Sequence, residues 1–292
     1  MKKDINSLVR SCIAALTPYS TARDEYKGEL GVFLDANESP YENGYNRYPD
    51  PLQLQVKEKI SALKGVDVEN IFLGVGSDEP IDLLYRIFCE PQTDNVVALE
   101  PTYGMYSVCA DTNDIEYRPV LLKDDFQPDT EALFKAIDNN TKLLFLCSPN
   151  NPTGNDLNRE TVENIIANFD GIVVVDEAYI DFSDNKTMLE QLESYPNVVV
   201  LQTFSKAWGM AGIRLGMAFA STEIISFMNK VKYPYNVNLL TQSLALKHLE
   251  DYDKITGWVD AILSERVTLI ERFSKLAICE KIYPSNANFF LA

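Results

Sequence analysis

Five short apolar runs, separated by amphipathic segments, constrain this chain most. "IFLG" precedes "SDEPIDLLYRIFCEP", "NVVALE" precedes "PTYGMYSVCADTN", and "KLLFLC" precedes a loop and "RETVENIIANF"; "GIVVVDEAY" and "NVVVLQTFSK" follow. A strand apolar on both faces must be covered on both faces, and the amphipathic segments between the runs are the covers. The pattern therefore predicts an α/β fold with a mostly parallel central sheet flanked by helices. Upstream, "LQLQVKEKISALKG" from Leu52 has helical spacing and a glycine stop, while residues 1–50 are loop-rich with the turn-like "ANESPYENGYNRYPDP". After about residue 222 the pattern turns helical through "LLTQSLALKHLEDYDKITGWVDAILSERVTLIERFSKLA", and the closing "ANFFLA" reads as a strand.

Composition excludes several functions. With 292 residues, 46% hydrophobic and 24% charged, the chain buries a large core. A net charge of −17 argues against a nucleic-acid partner or an anionic membrane surface, which need a basic face. The N-terminal stretch lacks a signal-peptide core, and no segment reaches membrane-spanning length. The five cysteines, Cys12, Cys89, Cys109, Cys147 and Cys279, are scattered, odd in number and without CxxC spacing, which suits neither a disulfide framework nor zinc. The expected location is cytoplasmic. The single histidine, His248, lies in a helical run and reads as an ordinary helix residue, so no histidine triad or multi-histidine metal site is expected. Catalysis falls to lysine, carboxylates or tyrosine.

Three successive runs carry their polar groups at their carboxyl ends: "LLFLC" is followed by "SPNNPTG", "IVVV" by Asp176-Glu177-Ala178-Tyr179, and "VVVL" by Gln202-Thr203-Phe204-Ser205-Lys206. In an open parallel sheet that edge is where ligands bind. A lysine in a partly desolvated pocket serves as a free amine that condenses with an aldehyde. Asp176 is suited to a protonated ring nitrogen. Thr203, Ser205 and Arg214, with the glycine-rich "LGVGSDEP" containing Ser77 and Asp78 at a helix start, suit a phosphate. Tyr103 of "PTYGMY" is suited to cover a planar ring, and Tyr179 and Asn151 to hydrogen-bond a phenolic oxygen. An aldehyde, a phosphate, a pyridinium and a phenolate together describe pyridoxal 5′-phosphate.

Taken singly, each feature has a plainer explanation. Lys206 alone reads as a snorkelling surface lysine, "NNPTG" as a turn, "DEAY" as a helix cap and "GVGSDE" as a packing turn. Only the combination in this order carries the reading. The turn lacks the Gly-Lys-Ser/Thr of a P-loop, which removes a simple nucleotide-binding protein.

"SPNNPTG", "VVVDEAYIDF" and "TFSKAWGMAGIRLG" resemble the signature blocks of the fold-type I pyridoxal-phosphate aminotransferases. "LTPYSTAR", "FLDANESPY", "NRYPDP", "GSDEPIDLLYRIFCEP" and "PTYGMY" are similar to the branch of that family that works on histidinol phosphate. The resemblance implies Lys206, Asp176 and Tyr179 as catalytic residues. It implies Ser77, Asp78 (through its backbone amide), Tyr103, Asn151, Thr203, Ser205 and Arg214 around the cofactor. Tyr48 would reach the cofactor phosphate of a neighbouring subunit, in a homodimer with shared sites. Tyr19 and Asn37 would border the substrate. It implies amino transfer between L-histidinol phosphate and 2-oxoglutarate, giving imidazole acetol phosphate and L-glutamate in histidine biosynthesis.

By the same resemblance, residues 1–50 form an N-terminal arm and cross-subunit segment, and 51–235 the large domain. Residues 236–292 form a long linking helix and the start of a smaller C-terminal α/β domain, expected to be incomplete. Arg266 and Arg272 do not match the arginines with which the family holds the substrate anion. The expectation is thus a fragment with a complete cofactor site and without the substrate-anion clamp. Two alternatives stay open: another fold-type I enzyme, such as an aromatic aminotransferase or a threonine-phosphate decarboxylase, and a non-catalytic module that binds the cofactor.

Overall fold

The five apolar runs assemble into one sheet. The computed structural model describes residues 4–19, 34 and 36–292; "STAR" of the first arm block and Phe33 and Asp35 of the second lie outside the described residues. The strands are β1 (Ile71–Val75), β2 (Asn95–Glu100), β3 (Glu116–Leu121), β4 (Thr141–Cys147), β5 (Ile172–Asp176), β6 (Val198–Thr203) and β7 (Leu215–Ala220), in the spatial order β1-β7-β6-β5-β4-β2-β3. All neighbours from β6 to β3 run parallel; β7 is antiparallel to both β1 and β6. This is the mostly parallel sheet expected, with one reversed strand inserted.

Alternation along each central strand divides the core in two. Leu144, Leu146, Val173, Val175, Val198 and Val200 face one layer, while Leu143, Phe145, Ile172, Val174, Val199 and Leu201 face the other. A period-2 pattern that is apolar at every position leaves no face for solvent. The first layer is closed by Val56 and Ile60 of the helix Leu54–Lys64, Leu133 of Thr130–Ala136, and Val162, Ile165 and Ile166 of Arg159–Asn168. The second is closed by Ile81, Leu84 and Phe88 of Asp78–Phe88, Ala110 of Met105–Thr112, and Ile224, Ile225 and Met228 of Thr222–Val231.

Among the described residues the α-helices are, in chain order, α1 (Ser11–Ala14), α2 (Leu54–Lys64), α3 (Asp78–Phe88), α4 (Met105–Thr112), α5 (Thr130–Ala136), α6 (Arg159–Asn168), α7 (Thr222–Val231), α8 (Leu239–Leu249) and α9 (Tyr252–Phe273). Local chemistry sets their ends. The Asn158 side chain caps α6 by accepting from the Thr161 N–H. Gly65 ends α2 at φ 68°, where a side chain would be strained. Pro80 sits in the first turn of α3, where its missing N–H costs nothing.

Three segments differ from the sequence expectation. β3 escaped notice because it is an edge strand with one buried residue, Val120, and a proline, which only an edge tolerates. The long helical stretch is two helices, α8 and α9, parted at Glu250 and Asp251. "ANFFLA" is not a strand, because no neighbouring strand offers it a ladder. Its backbone instead closes an irregular loop, with Tyr283 N–H donating to Leu291 O at 2.9 Å and Arg266 donating to Ala287 O.

Candidate active site

The chain leaves β2 toward the sheet edge at β3 and returns to β4 at β2's other side. At such a switch the loops following the strands diverge and open a crevice. Tyr103 follows β2, Asn151 follows β4, Asp176 ends β5 and Thr203 ends β6. α3 begins beside them at Ser77 and Asp78. A cavity of about 160 Å³ lies here, lined by Ser77, Asp78, Tyr103, Asn151, Asp176, Tyr179, Thr203, Ser205, Lys206 and Arg214 together with Cys147, Ala178 and Ala211. Ten residues chosen from sequence thus meet on one surface. A larger recess of about 470 Å³, lined by residues such as Asp156, Arg159, Glu177 and Lys186, lacks this convergence.

Lys206 is held by its neighbours. Phe204 and Trp208 are buried, with ring centroids 5.0 Å apart, and Phe204 N–H donates to Leu215 O at 3.1 Å. With both flanks anchored, the intervening turn projects Lys206 past the end of β6. Its amine stands 5.3 Å from the Tyr179 ring centroid. The expected desolvation of this lysine is not found: Lys206 is exposed, because Phe204 and Ala207 take the inward positions of the turn.

Asp176 is 2% exposed. Its two oxygens are each held: the Tyr106 hydroxyl donates to Oδ2 at 2.8 Å, and the Ala178 N–H to Oδ1 at 3.0 Å. Burial pushes its carboxyl above the ordinary range; these two donors and Lys206 pull it back, while Asp78 pushes it up. Burial pushes the Cys147 thiol up to about 12, so it stays protonated.

The other end of the cavity is built on glycine. Gly76 takes φ +71°, and its N–H donates to Arg214 O at 2.9 Å. Arg214 itself has φ 52°, which turns the chain into β7. Its Nη2 lies 3.3 Å from Asp78 Oδ2, and Asp78 Oδ1 accepts from the Tyr103 hydroxyl at 2.9 Å. The Asp78 side chain is therefore engaged, where sequence reading looked only to its backbone amide. Asp78 and burial together push the Tyr103 phenol above its ordinary range, burial first. The Thr203 hydroxyl accepts from Ser205 N–H at 3.1 Å. Two hydroxyl side chains, a third on Ser77, a guanidinium and the first amides of an eleven-residue helix make an anion-binding end.

Three residues chosen from sequence do not line this cavity. Tyr48 stacks on Tyr235 with centroids 4.5 Å apart, and borders a separate groove with Asn37, Arg47 and Leu239. Tyr19 is 75% exposed and lines neither. Sequence reasoning missed Tyr106, whose ring meets that of Tyr103 edge-on; the one signal was the second tyrosine of "PTYGMY", in the first turn of the helix that follows Tyr103.

A lysine, a buried carboxylate, tyrosines and a helix start meet at the carboxyl edge of a parallel sheet, a set of groups suited to an enzyme of carbonyl–amine chemistry on a phosphorylated ring. The chain belongs to the aminotransferase class I and II family, whose model matches residues 28–292. It is 57% identical over 291 residues to a histidinol-phosphate aminotransferase of Bacteroides thetaiotaomicron, covering 99% of this chain and 84% of that one. It is 56% identical over 290 residues to the enzyme of the same name from Christiangramia forsetii, covering 99% and 83%. Among solved structures it resembles histidinol-phosphate aminotransferase from Sinorhizobium meliloti in complex with pyridoxal-5′-phosphate, with TM-score 0.75, 26% identity, and coverage of 84% of this chain and 67% of that one. L-threonine-O-3-phosphate decarboxylase from Porphyromonas gingivalis shares the fold at TM-score 0.71 and 21% identity, covering 84% and 72%. Among the described residues no helix is long and apolar enough to cross a membrane.

Proposed function

We propose that this chain catalyses amino transfer between L-histidinol phosphate and 2-oxoglutarate, with pyridoxal 5′-phosphate as cofactor. The carrying observation is the meeting of Lys206, Asp176, Tyr103, Thr203, Ser205 and Arg214 on one cavity. The donor set fits the cofactor: an amine for the aldehyde, a carboxylate for the ring nitrogen, and hydroxyls with a guanidinium for the phosphate. Relatives at 57% and 56% identity that bear the histidinol-phosphate name support the substrate.

When bound, the cofactor supplies an electron sink that stabilises charge at the substrate's Cα. The protein's part is positioning and proton movement. Among the described residues Lys206 is the only lysine lining the cavity; it would hold the cofactor's aldehyde carbon and move the proton at the substrate's Cα. Asp176 holds the proton on the ring nitrogen. Tyr179 and Asn151 hold the phenolic oxygen, and Tyr103 covers the ring. Ser77, Thr203, Ser205, Arg214 and the Asp78 amide hold the phosphate, with Arg214 exchanging its exposed contact with Asp78 for the ligand. An exposed ion pair of that kind is worth at most about 1 kcal/mol, so the exchange is cheap. Tyr48 serves the phosphate in a second copy of the chain, which makes the working unit a homodimer; Tyr19 and Asn37 border the substrate. The enzyme works in the cytoplasm.

The test is the visible absorbance of the purified chain with pyridoxal phosphate. L-histidinol phosphate should bleach the band and 2-oxoglutarate restore it. Lys206→Ala should abolish the band. A band that no amine alters would refute the transaminase reading, and carbon dioxide release from added O-phospho-L-threonine would point to a decarboxylase.

A further inference from the structure

Tyr106 has no part in the mechanism proposed above, yet its ring and its backbone are both held by neighbours. It is 0% exposed. Its ring stacks on Phe145 with centroids 4.5 Å apart at 17°, and meets Tyr103 edge-on at 5.7 Å and 86°. The Tyr85 hydroxyl donates to its carbonyl at 2.7 Å, pinning the backbone. The one polar atom on this clamped ring points at Asp176 Oδ2, 2.8 Å away.

We infer that Tyr106 is a positioning residue for the proposed reaction: its hydroxyl fixes the Asp176 carboxylate in orientation and keeps it charged opposite the cofactor's ring nitrogen. The inference rests on the pyridoxal-phosphate reading given above. A carboxylate at the end of a fully apolar strand is driven by desolvation toward its neutral form. A neutral Asp176 would hold its own proton and leave the ring nitrogen without a counter-charge. The groups acting on it are the Tyr106 hydroxyl, the Ala178 N–H, Lys206, Asp78 and Cys147. Lys206 and Asp78 act oppositely, and Cys147 is neutral. The backbone N–H holds one oxygen in any variant. That leaves the Tyr106 hydroxyl as the side-chain donor that selects the anion. Burial, with Asp176 adjacent, raises the phenol well above its ordinary value, so it stays a donor throughout the working range.

The test is Tyr106→Phe, which removes one oxygen and keeps the ring packing. Without the donor Asp176 becomes the stronger base, the shared proton moves from the ring nitrogen toward the carboxylate, and the ring withdraws fewer electrons. The imine nitrogen then becomes more basic. In the holoenzyme, the pH midpoint of the visible band should therefore rise, by about half a unit or more. kcat should fall roughly 10- to 100-fold, the scale of one hydrogen bond to a charged group, with KM little changed. Loading both proteins with the analogue in which the ring nitrogen is replaced by carbon should erase the difference between them. An unmoved midpoint with unchanged kcat would overturn the inference, as would a defect that persists with the analogue, which would mark a packing role. If instead the unaltered protein forms no visible band with pyridoxal phosphate, it is the underlying reading that fails.

Discussion

The N–H of Gly76 donates to the carbonyl of Arg214 at 2.9 Å, and a Cβ on Gly76 would stand 2.6 Å from that arginine's Nη2. The turn before α3 and the arginine before β7 are therefore one unit, though 138 residues separate them in sequence. Gly216 completes it: a Cβ there would lie 2.3 Å from Gly76 C and Ser77 N, inside backbone that cannot step aside.

The two glycines should respond differently to alanine. Gly216→Ala forces β7 from the turn and should cost on the order of 1–3 kcal/mol of stability, as overpacking does. Gly76→Ala crowds only the far end of the Arg214 side chain, with Asp78 Oδ2 at an ordinary 3.6 Å, so its cost should be about 1 kcal/mol, from the positive φ. Its main effect should be weaker cofactor binding. Thermal melts and cofactor titration of both variants check this; equal melts would contradict the packing argument.

Lys57 is buried in α2 at 4% exposure, and burial with Lys232 nearby brings its amine from 10.5 down to about 8. A lowered lysine value means a stability cost fully present below about 8 and absent above 10.5. Lys57→Met should raise the melting temperature at neutral pH, by an amount equivalent to roughly 3 kcal/mol at most. The gain should shrink as the pH approaches 10.5. A gain independent of pH would argue against the charge as its source.

Asp176 and Glu177 are both buried, and burial raises both carboxyls above their ordinary 3.8 and 4.5. A raised carboxyl favours the folded state at low pH and loses that contribution as pH rises through its folded value. Without cofactor, Asp176→Asn should therefore melt higher than the unaltered protein at neutral pH, with the gain fading toward pH 3.8. The same variant should retain bound cofactor and lose most of its activity. Higher stability with near-normal turnover would remove Asp176 from the mechanism.

If Tyr48 serves a second copy, two inactive variants should rescue each other. Tyr48→Ala and Lys206→Ala chains, mixed under conditions that exchange subunits, should form hybrids with one intact site. Partial recovery of activity is expected. No recovery, with exchange verified by mass, would confine Tyr48 to its own chain, where it stacks on Tyr235.

The legible part of this protein was what local chemistry writes directly. The unbroken apolar runs Leu143–Cys147 of β4, Ile172–Val175 of β5 and Val198–Leu201 of β6 announce a doubly covered sheet. Lys206, Asp176 and Asn151 stand where those strands stop, so their convergence followed from the parallel arrangement alone. β3 was illegible because an edge strand buries one face weakly. β7 lay inside the quoted lysine block, but nothing local states its reversed direction; only its pairing between β1 and β6 does.

By itself, then, the sequence determined the central strand cores, the glycine stop of α2 and the identity of the groups at the sheet edge, because each follows from residues close together in the chain. Tertiary structure alone decided that Lys206 is exposed, that Arg214 meets the Asp78 side chain, and that Tyr106 reaches Asp176 across 70 residues. These are contacts between distant segments, chosen by packing density and by the need of every buried polar group for a partner, and no local pattern encodes them.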